Sequence, residues 1–219
     1  MITYSQLGRH GNTGNSMFQF ASLVGISDKC NYEFCVPKLS SYYDINYQCN
    51  NNSIFDGFDI KCNILPERDL LHFRDQYTEK YFHFDKDTFN IKDDTDLSGY
   101  FQTEKYFEHC KDKVYSYFQF KNNIKDILDK KINNKIYPDP LKCTAVHIRR
   151  GDYVHKQEFH PQLPLTYYKE ACSITDTEKY IIFSDDIDWC KSTFGNHSKI
   201  IYSQDEDAFV AMYHMSLCT

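Results

Sequence analysis

Cys143-Thr-Ala-Val-His-Ile-Arg-Arg-Gly-Asp-Tyr-Val154 decides how this chain is read, because a strand-like run opens directly into His147, Arg149, Arg150, Gly151 and Asp152. In α/β proteins ligands bind beyond the carboxyl ends of parallel strands, so polar residues gathered there carry chemistry. Two adjacent guanidiniums are fixed cations with planar donor forks suited to phosphate. The glycine after them lets the backbone turn sharply beside a ligand. A nucleotide-sugar pyrophosphate fits that description. The same residues also read as surface charges closing a strand, with one arginine paired to Asp152. Arg150-Gly151-Asp152 additionally spells an adhesion-type tripeptide, a string short enough to recur by chance.

Outward from this motif the downstream pattern is regular. It predicts strands at 143–148, 179–184 and 199–202 alternating with helices at 166–175, 186–193 and 205–217. Such alternation means parallel strands joined by right-handed crossovers. A second polar loop, Ser184-Asp185-Asp186, comes directly after Tyr180-Ile-Ile-Phe183. A carboxylate there can accept hydrogen bonds from a nucleobase or from sugar hydroxyls, or it can cap the next helix.

Upstream, residues 2–7 read as a strand and Gly8, Gly11 and Gly14 as a turn. A helix then opens with Asn15 as its cap and shows Met17, Phe18, Ala21 and Val24 on one face. A strand at 32–37 completes a β-loop-α-β unit. The glycines fit neither the G-x-x-x-x-G-K-[ST] loop nor a clean G-x-G-x-x-G fingerprint. Residues 40–98 read as loops and short strands. The segment 99–107 leads into one or two helices with Thr103 as a cap, and residues 122–135 form an amphipathic helix carrying Ile124, Ile127, Leu128 and Ile132. Pro138 and Pro140 punctuate the chain, giving an N-terminal domain at 1–138 and a C-terminal one at 139–219.

Composition narrows the function. Across 219 residues the net charge is -6, which argues against a general nucleic-acid binder, since a phosphate backbone demands a concentrated basic surface. The 18 Tyr and 17 Phe, with few Gly and Pro, belong to an ordered globular protein. Nine Cys without zinc spacing favour free thiols in a reducing compartment. No run reaches the roughly 18 apolar residues of a membrane span, and the N-terminus lacks the pattern of an export signal. The expected location is therefore cytoplasmic. No complementary set of metal ligands accompanies Asp185 and Asp186.

Six segments together resemble the α-1,2-fucosyltransferases of glycosyltransferase family 11. They are Gly14-Asn15-Ser-Met-Phe-Gln-Phe-Ala21, Gly99-Tyr-Phe-Gln-Thr-Glu-Lys-Tyr-Phe107, His147-Ile-Arg-Arg-Gly-Asp-Tyr-Val154, Leu163-Pro-Leu-Thr-Tyr-Tyr-Lys-Glu-Ala171, Phe183-Ser-Asp-Asp-Ile-Asp-Trp-Cys190 and Tyr213-His-Met-Ser-Leu-Cys218. The resemblance implies a GT-B-like α/β fold of two Rossmann-like domains with mainly parallel sheets. The C-terminal domain would be shortened, since family members continue past the Met-Ser-Leu-Cys helix into a strand and a Ser-Trp-Trp segment.

It also implies inverting, metal-independent transfer of L-fucose from GDP-fucose to a hydroxyl of a galactoside-type glycan, with no cofactor beyond the donor substrate. In that picture Arg149 holds the donor β-phosphate, and His147 and Asp185 contact guanosine. Gly14 and Arg150 belong to the donor side, and Asn15 lies near the acceptor and departing phosphate. Asp152, Glu158, His155 and His160 are chemically able to serve as base, while Asp152 is also placed to lock Arg150. The alternatives are a GDP-sugar-binding protein without turnover and an adhesion module using Arg150-Gly151-Asp152.

Overall fold

The structure, a computed structural model, describes the chain except for residues 10, 38–41, 45–48, 52, 67–68 and 70–71. The chain divides into two units, Met1–Lys121 and Asn122–Thr219. The division lies ahead of Pro138 and Pro140 because the helix Asn122–Asn133 packs on the last helix of the chain, Ala208–Leu217.

The first unit is built on a parallel sheet of β1 (Ile2–Thr3), β2 (Phe34–Pro37), β5 (Asn63–Leu65), β6 (Asp75–Thr78) and β7 (Thr95–Ser98). A short antiparallel pair, β3 (Tyr42–Asp44) and β4 (Cys49–Asn51), stands apart. The five parallel strands run in the order β5-β2-β1-β7-β6. The chain builds outward from β1 through β2 to β5 on one side and places β7 and β6 on the other. The strand order therefore reverses between β1 and β7, the position where open α/β sheets form a crevice. The strand expected through Leu7 ends at Thr3, where Tyr4 and the residues after it turn away.

Helix α1 (Thr13–Cys30) fills the space against this sheet. Its expected apolar face holds at Ala21 and Val24, which are buried, and is corrected at Phe18, which is exposed, whereas Phe20, Leu23 and Ile26 are fully buried. Every residue from Gln19 to Ser27 is buried, so the helix has no solvent side there and periodicity carries little information. Burying Phe20 or Leu23 stabilises by about 2 kcal/mol each. Gly25 permits this depth, since a Cβ on it would lie 2.2 Å from the Tyr106 carbonyl oxygen and 2.6 Å from Phe107 Cα. The N-terminus is also corrected. Asn12, not Asn15, precedes the first helical residue, and Asn15 Oδ1 accepts from the Asn12 backbone N–H at 2.9 Å.

The heavy aromatic content goes largely into this unit. Phe20 meets Tyr117 and Phe118 edge-on at 5.4 and 5.8 Å, and Phe58 continues the cluster to Phe118 and Phe120 at 5.1 and 4.7 Å. Such aromatic pairs, edge-to-face except for the tilted Phe58–Phe120, add roughly 0.5–1.5 kcal/mol each beyond area burial. Helices α2 (Ile54–Gly57) and α3 (Lys111–Tyr117) flank the cluster.

The second unit opens with α4 (Asn122–Asn133) and carries a parallel sheet of three strands, β8 (Cys143–Ile148), β9 (Lys179–Ser184) and β10 (Ile200–Tyr202). Their order is β10-β9-β8. Strands β8 and β9 pair from Cys143↔Lys179 to Ile148↔Ser184, and β10 extends the sheet beyond β9. Ile148 and Ile182 face one side with Tyr168 of α5 (Leu165–Ser173) and Cys190 of α6 (Ile187–Phe194). Ile181 and Phe183 face the other, packed by Ala211 and Met215 of α7 (Ala208–Leu217). The period-2 alternation along β9 thus serves two helical layers. Among the described residues no strand covers the outer edge of β8, where the Thr219 backbone N–H donates to the Cys143 carbonyl at 2.9 Å.

Beyond β10 a charged network is sealed inside. Asp205 and His214 side chains are fully buried, with His214 Nδ1 3.0 Å from Asp205 Oδ2 and Lys131 Nζ 2.7 Å from Asp205 Oδ1. Tyr137 packs its ring 4.4 Å from His214 and accepts the Gln204 backbone N–H at 2.6 Å. Burial pushes the Asp205 carboxyl up, but the bonds to His214 and Lys131 outweigh it and hold its pKa below the ordinary value.

Candidate functional site

The two polar loops singled out in the sequence meet at the carboxyl edge of the second unit's sheet. Because β8 and β9 are in register up to Ile148↔Ser184, Arg149 and Asp185 leave the sheet side by side. The Asp185 carboxylate then accepts the Arg150 backbone N–H at 2.7 Å and fastens one loop to the other. Gly151 has to be glycine for this clasp, since a Cβ there would sit 2.6 Å from Asp185 Oδ2.

The two arginines part company at this point. Arg150 turns toward α6: its Nε donates to Asp186 Oδ2 at 3.0 Å, its Nη1 to Gln162 Oε1 at 2.8 Å, and its guanidinium lies 3.8 Å from the Trp189 ring centroid. Its side chain is only 16% exposed. Asp186 is also the cap of α6, taking the Trp189 N–H at 3.1 Å, so the capping alternative and the ion pair both hold for one residue. The Arg150 bond, with the Trp189 amide second, keeps the Asp186 carboxyl below its usual range.

Arg149 turns the other way. Its Nε and Nη2 both reach Asp152 Oδ1, at 3.2 and 2.9 Å, and its guanidinium lies 4.5 Å from the Tyr153 ring, which stacks on His160 at 4.4 Å. The expectation that Asp152 locks Arg150 is therefore corrected. Asp152 begins a 3-10 turn three residues beyond Arg149 and faces it, while Arg150 is held by Asp186 and Gln162. Lys156 Nζ stands 4.0 Å from the other Asp152 oxygen. Two cations thus stand against the one Asp152 carboxylate. Arg149 is 36% exposed and its Nη1 makes no hydrogen bond among the described residues. An ion pair this open contributes under about 1 kcal/mol, so an incoming dianion displaces Asp152 at little cost.

His147 is exposed, and with Val146, Tyr167, Tyr168 and Cys172 it borders a cavity of about 170 Å³ beside β8 and α5. Desolvation lowers its pKa from the ordinary value; Asp185 opposes that shift and Arg149 adds to it. The structure thus brings His147, Arg149, Arg150, Asp152 and Asp185 to one edge. Gly14 and Asn15 belong to the first unit, at the start of α1. A Cβ on Gly14 would meet nothing within 4 Å, so packing does not require glycine there. Glu158, His155 and His160 are exposed on the loop after Asp152.

Sequence reasoning missed Gln162, Trp189 and Tyr153. Gln162 carries no motif, but the aromatic pair had a signal: each arginine at a strand end needs a flat partner, and the only Trp of the chain lies three residues after Asp186.

Comparison with known proteins places the chain in a family. The sequence model of the family described as Glycosyl transferase family 11 matches residues 7–219. The O-antigen biosynthesis glycosyltransferase WbnK of Escherichia coli is 30% identical over 179 residues, covering 76% of this chain and 55% of that protein. The alpha-1,2-colitosyltransferase of Escherichia coli is 26% identical over 227 residues, covering 90% and 72%. The chain thus spans about half the length of the first of these relatives. Among solved structures, POFUT1 in complex with GDP-fucose superposes with a TM-score of 0.54 at 12% identity, covering 99% of this chain and 88% of that one. The fold is accordingly GT-B-like α/β with parallel sheets.

Proposed function

Since the chain belongs to glycosyl transferase family 11, we propose that it transfers L-fucose from GDP-fucose to a hydroxyl of a galactoside-type glycan, forming an α-1,2 linkage with inversion. The observation that carries this reading is the open Arg149 corner at the carboxyl end of β8, where a partly exposed guanidinium keeps Nη1 available to an anion. In the reaction the acceptor oxygen attacks the anomeric carbon, the bond from that carbon to the β-phosphate oxygen breaks, and the acceptor hydroxyl loses its proton. Negative charge grows on the departing GDP, and a fixed guanidinium aimed at it lowers the barrier because the charge increases toward the transition state.

Asp152 keeps the Arg149 fork oriented until the donor arrives. Asp185 and Arg150 hold the loop that presents it, and His147 at the adjoining cavity is placed for the guanosine end. By the family pattern alone, Asn15 is assigned to the side facing the acceptor and Gly14 to the donor. Support for the donor comes from the GDP-fucose complex of a protein with the same fold. A second reading, transfer of colitose, is favoured by the colitosyltransferase relative. Incubation with GDP-fucose or GDP-colitose and a panel of galactosides decides between them: GDP is released with one donor only when an acceptor is present. No release with either donor from folded protein refutes both.

A further inference from the structure

In the first unit, β6 and β7 end at the same edge as the reversal between β1 and β7, and the loop after β6 carries exposed aromatic residues on a fixed base. Glu79 ties it to the sheet: its backbone N–H donates to the Ser98 carbonyl at 2.8 Å, and its carboxylate accepts the N–H groups of Tyr100 at 2.7 Å and Phe101 at 3.0 Å. Two residues later Tyr81, Phe82 and His83 stand in solvent, with Tyr81 53% and Phe82 86% exposed. Tyr81 and His83 stack at 4.9 Å with an interplanar angle of 14°.

Their base is fixed. Phe84 packs on Tyr106 at 5.0 Å and on Phe89 at 5.9 Å, and the Asp85 N–H donates to the Tyr106 hydroxyl at 3.1 Å. Asp85 Oδ1 caps the adjoining 3-10 turn through the Asp87 N–H at 2.9 Å, which leaves Oδ2 without a hydrogen bond among the described residues. Tyr81, His83, Phe84, Asp85 and Lys86 enclose an open pocket of about 240 Å³.

We infer that this pocket is a saccharide subsite, in which a pyranose ring lays its C–H face on the stacked Tyr81 and His83 while its hydroxyls bond to Asp85 Oδ2 and the Lys86 ammonium. The physical case is that an aromatic face is electron-rich and the axial C–H groups of a sugar are weakly positive, so the two attract without fixed charge. One acceptor oxygen and one cationic donor beside a flat aromatic wall match the alternating donor and acceptor character of vicinal hydroxyls. A protein partner fits less well, since stable recognition takes about 800 Å² of surface from each side. The carboxylate disfavours a phosphate. As the site of the acceptor glycan, the pocket rests on the transfer proposed above.

Two measurements test it separately from that reaction. In saturation-transfer NMR with a free galactoside and no nucleotide, signal passes from protein to sugar protons in the wild type, disappears in Tyr81→Ala and returns in Tyr81→Trp. In the transfer assay Tyr81→Ala raises the acceptor KM about tenfold, the scale of one aromatic contact, and leaves the KM for the nucleotide sugar within twofold. Tyr81 is exposed, so the variant keeps its fold, which unchanged circular dichroism verifies. Equal saturation transfer in Tyr81→Ala, none in the wild type, or an acceptor KM within twofold of wild type overturns the inference. Wild-type saccharide binding without turnover on any donor overturns the reaction and leaves the subsite standing.

Discussion

The carboxyl edges of the two sheets both close parallel strands and finish with different chemistry. In the first unit the edge is closed by backbone, hydroxyl and amide donors, some of them bonded to the carboxylates of Asp96 and Glu79. The Tyr4 hydroxyl donates to the Gly99 carbonyl and accepts the Gly99 N–H at 2.8 Å, Gln19 Nε2 adds a bond to the same carbonyl at 3.2 Å, and Ser5 is held by Asp96 at 2.6 Å. In the second unit the edge is closed by ions: Arg150 on Asp186, Arg149 on Asp152, and Asp205 between Lys131 and His214. The first arrangement gives a rigid wall of dipoles and aromatic faces suited to an uncharged ligand. The second holds cations in place before an anion arrives. Parallel strands fix where a ligand sits; the residues one or two positions past each strand fix its charge.

The contrast breaks most visibly at Asp205. Asp205→Asn leaves Lys131 and His214 facing a neutral amide inside the protein, and is expected to cost about 3–5 kcal/mol of second-unit stability by denaturant titration. The pH dependence has the matching sign. Asp205 and Asp186 both have native pKa values lowered from 3.8, so the stability they contribute is present above that pH and is lost as pH falls through the lowered native values. Melting measured from pH 6 down to about pH 3 registers this, and a flat profile contradicts the ionic description of this edge.

Next in size is Arg149→Ala. It is expected to weaken GDP binding by about 2–3 kcal/mol, roughly 30- to 160-fold by calorimetry, with melting temperature nearly unchanged because the ion pair it loses is exposed. Smallest is the neutral counterpart. Tyr4→Phe removes two buried hydrogen bonds and is expected to cost about 1–2 kcal/mol of stability while GDP affinity stays within twofold. If Tyr4→Phe disturbed GDP binding as much as Arg149→Ala does, the division of labour between the edges would fall.

The second unit was far more legible in the sequence than the first. Strands β8 and β9 fall on the residues expected, because each is a mainly apolar run bounded by turn residues, with β9 buried at Ile181, Ile182 and Phe183 and β8, at the sheet's end, buried at Cys143 and Ile148. Helix α1 misled because it is enclosed: Phe18 and Phe20 are equally apolar, and only the location of the surrounding strands decides which points inward. At the site, the identity of the arginine motif was legible and its wiring was not. Arg149 and Arg150 are neighbours whose side chains diverge, so pairing Asp152 with Arg150 was as natural in sequence as the observed pairing with Arg149. Partners that lie far along the chain, such as Gln162 for Arg150 or Glu79 for the Tyr100 amide, leave no local mark. Part of the 40–98 region expected as loops and short strands lies outside the described residues; in the rest, β5, β6 and β7 prove to be full members of the sheet.

Gly25 links the interior of the first unit to its outermost aromatic loop. Where α1 touches the backbone of Tyr106 and Phe107 with no side chain between, the seating depth of the helix sets the position of Tyr106, whose hydroxyl carries Asp85 and whose ring carries Phe84. The loop at residues 81–86 and the buried helix are therefore one mechanical piece. In a library of random variants selected only for folding, residues 81–83 would drift freely and position 25 would stay glycine; selected for a new acceptor, 81–83 would change first.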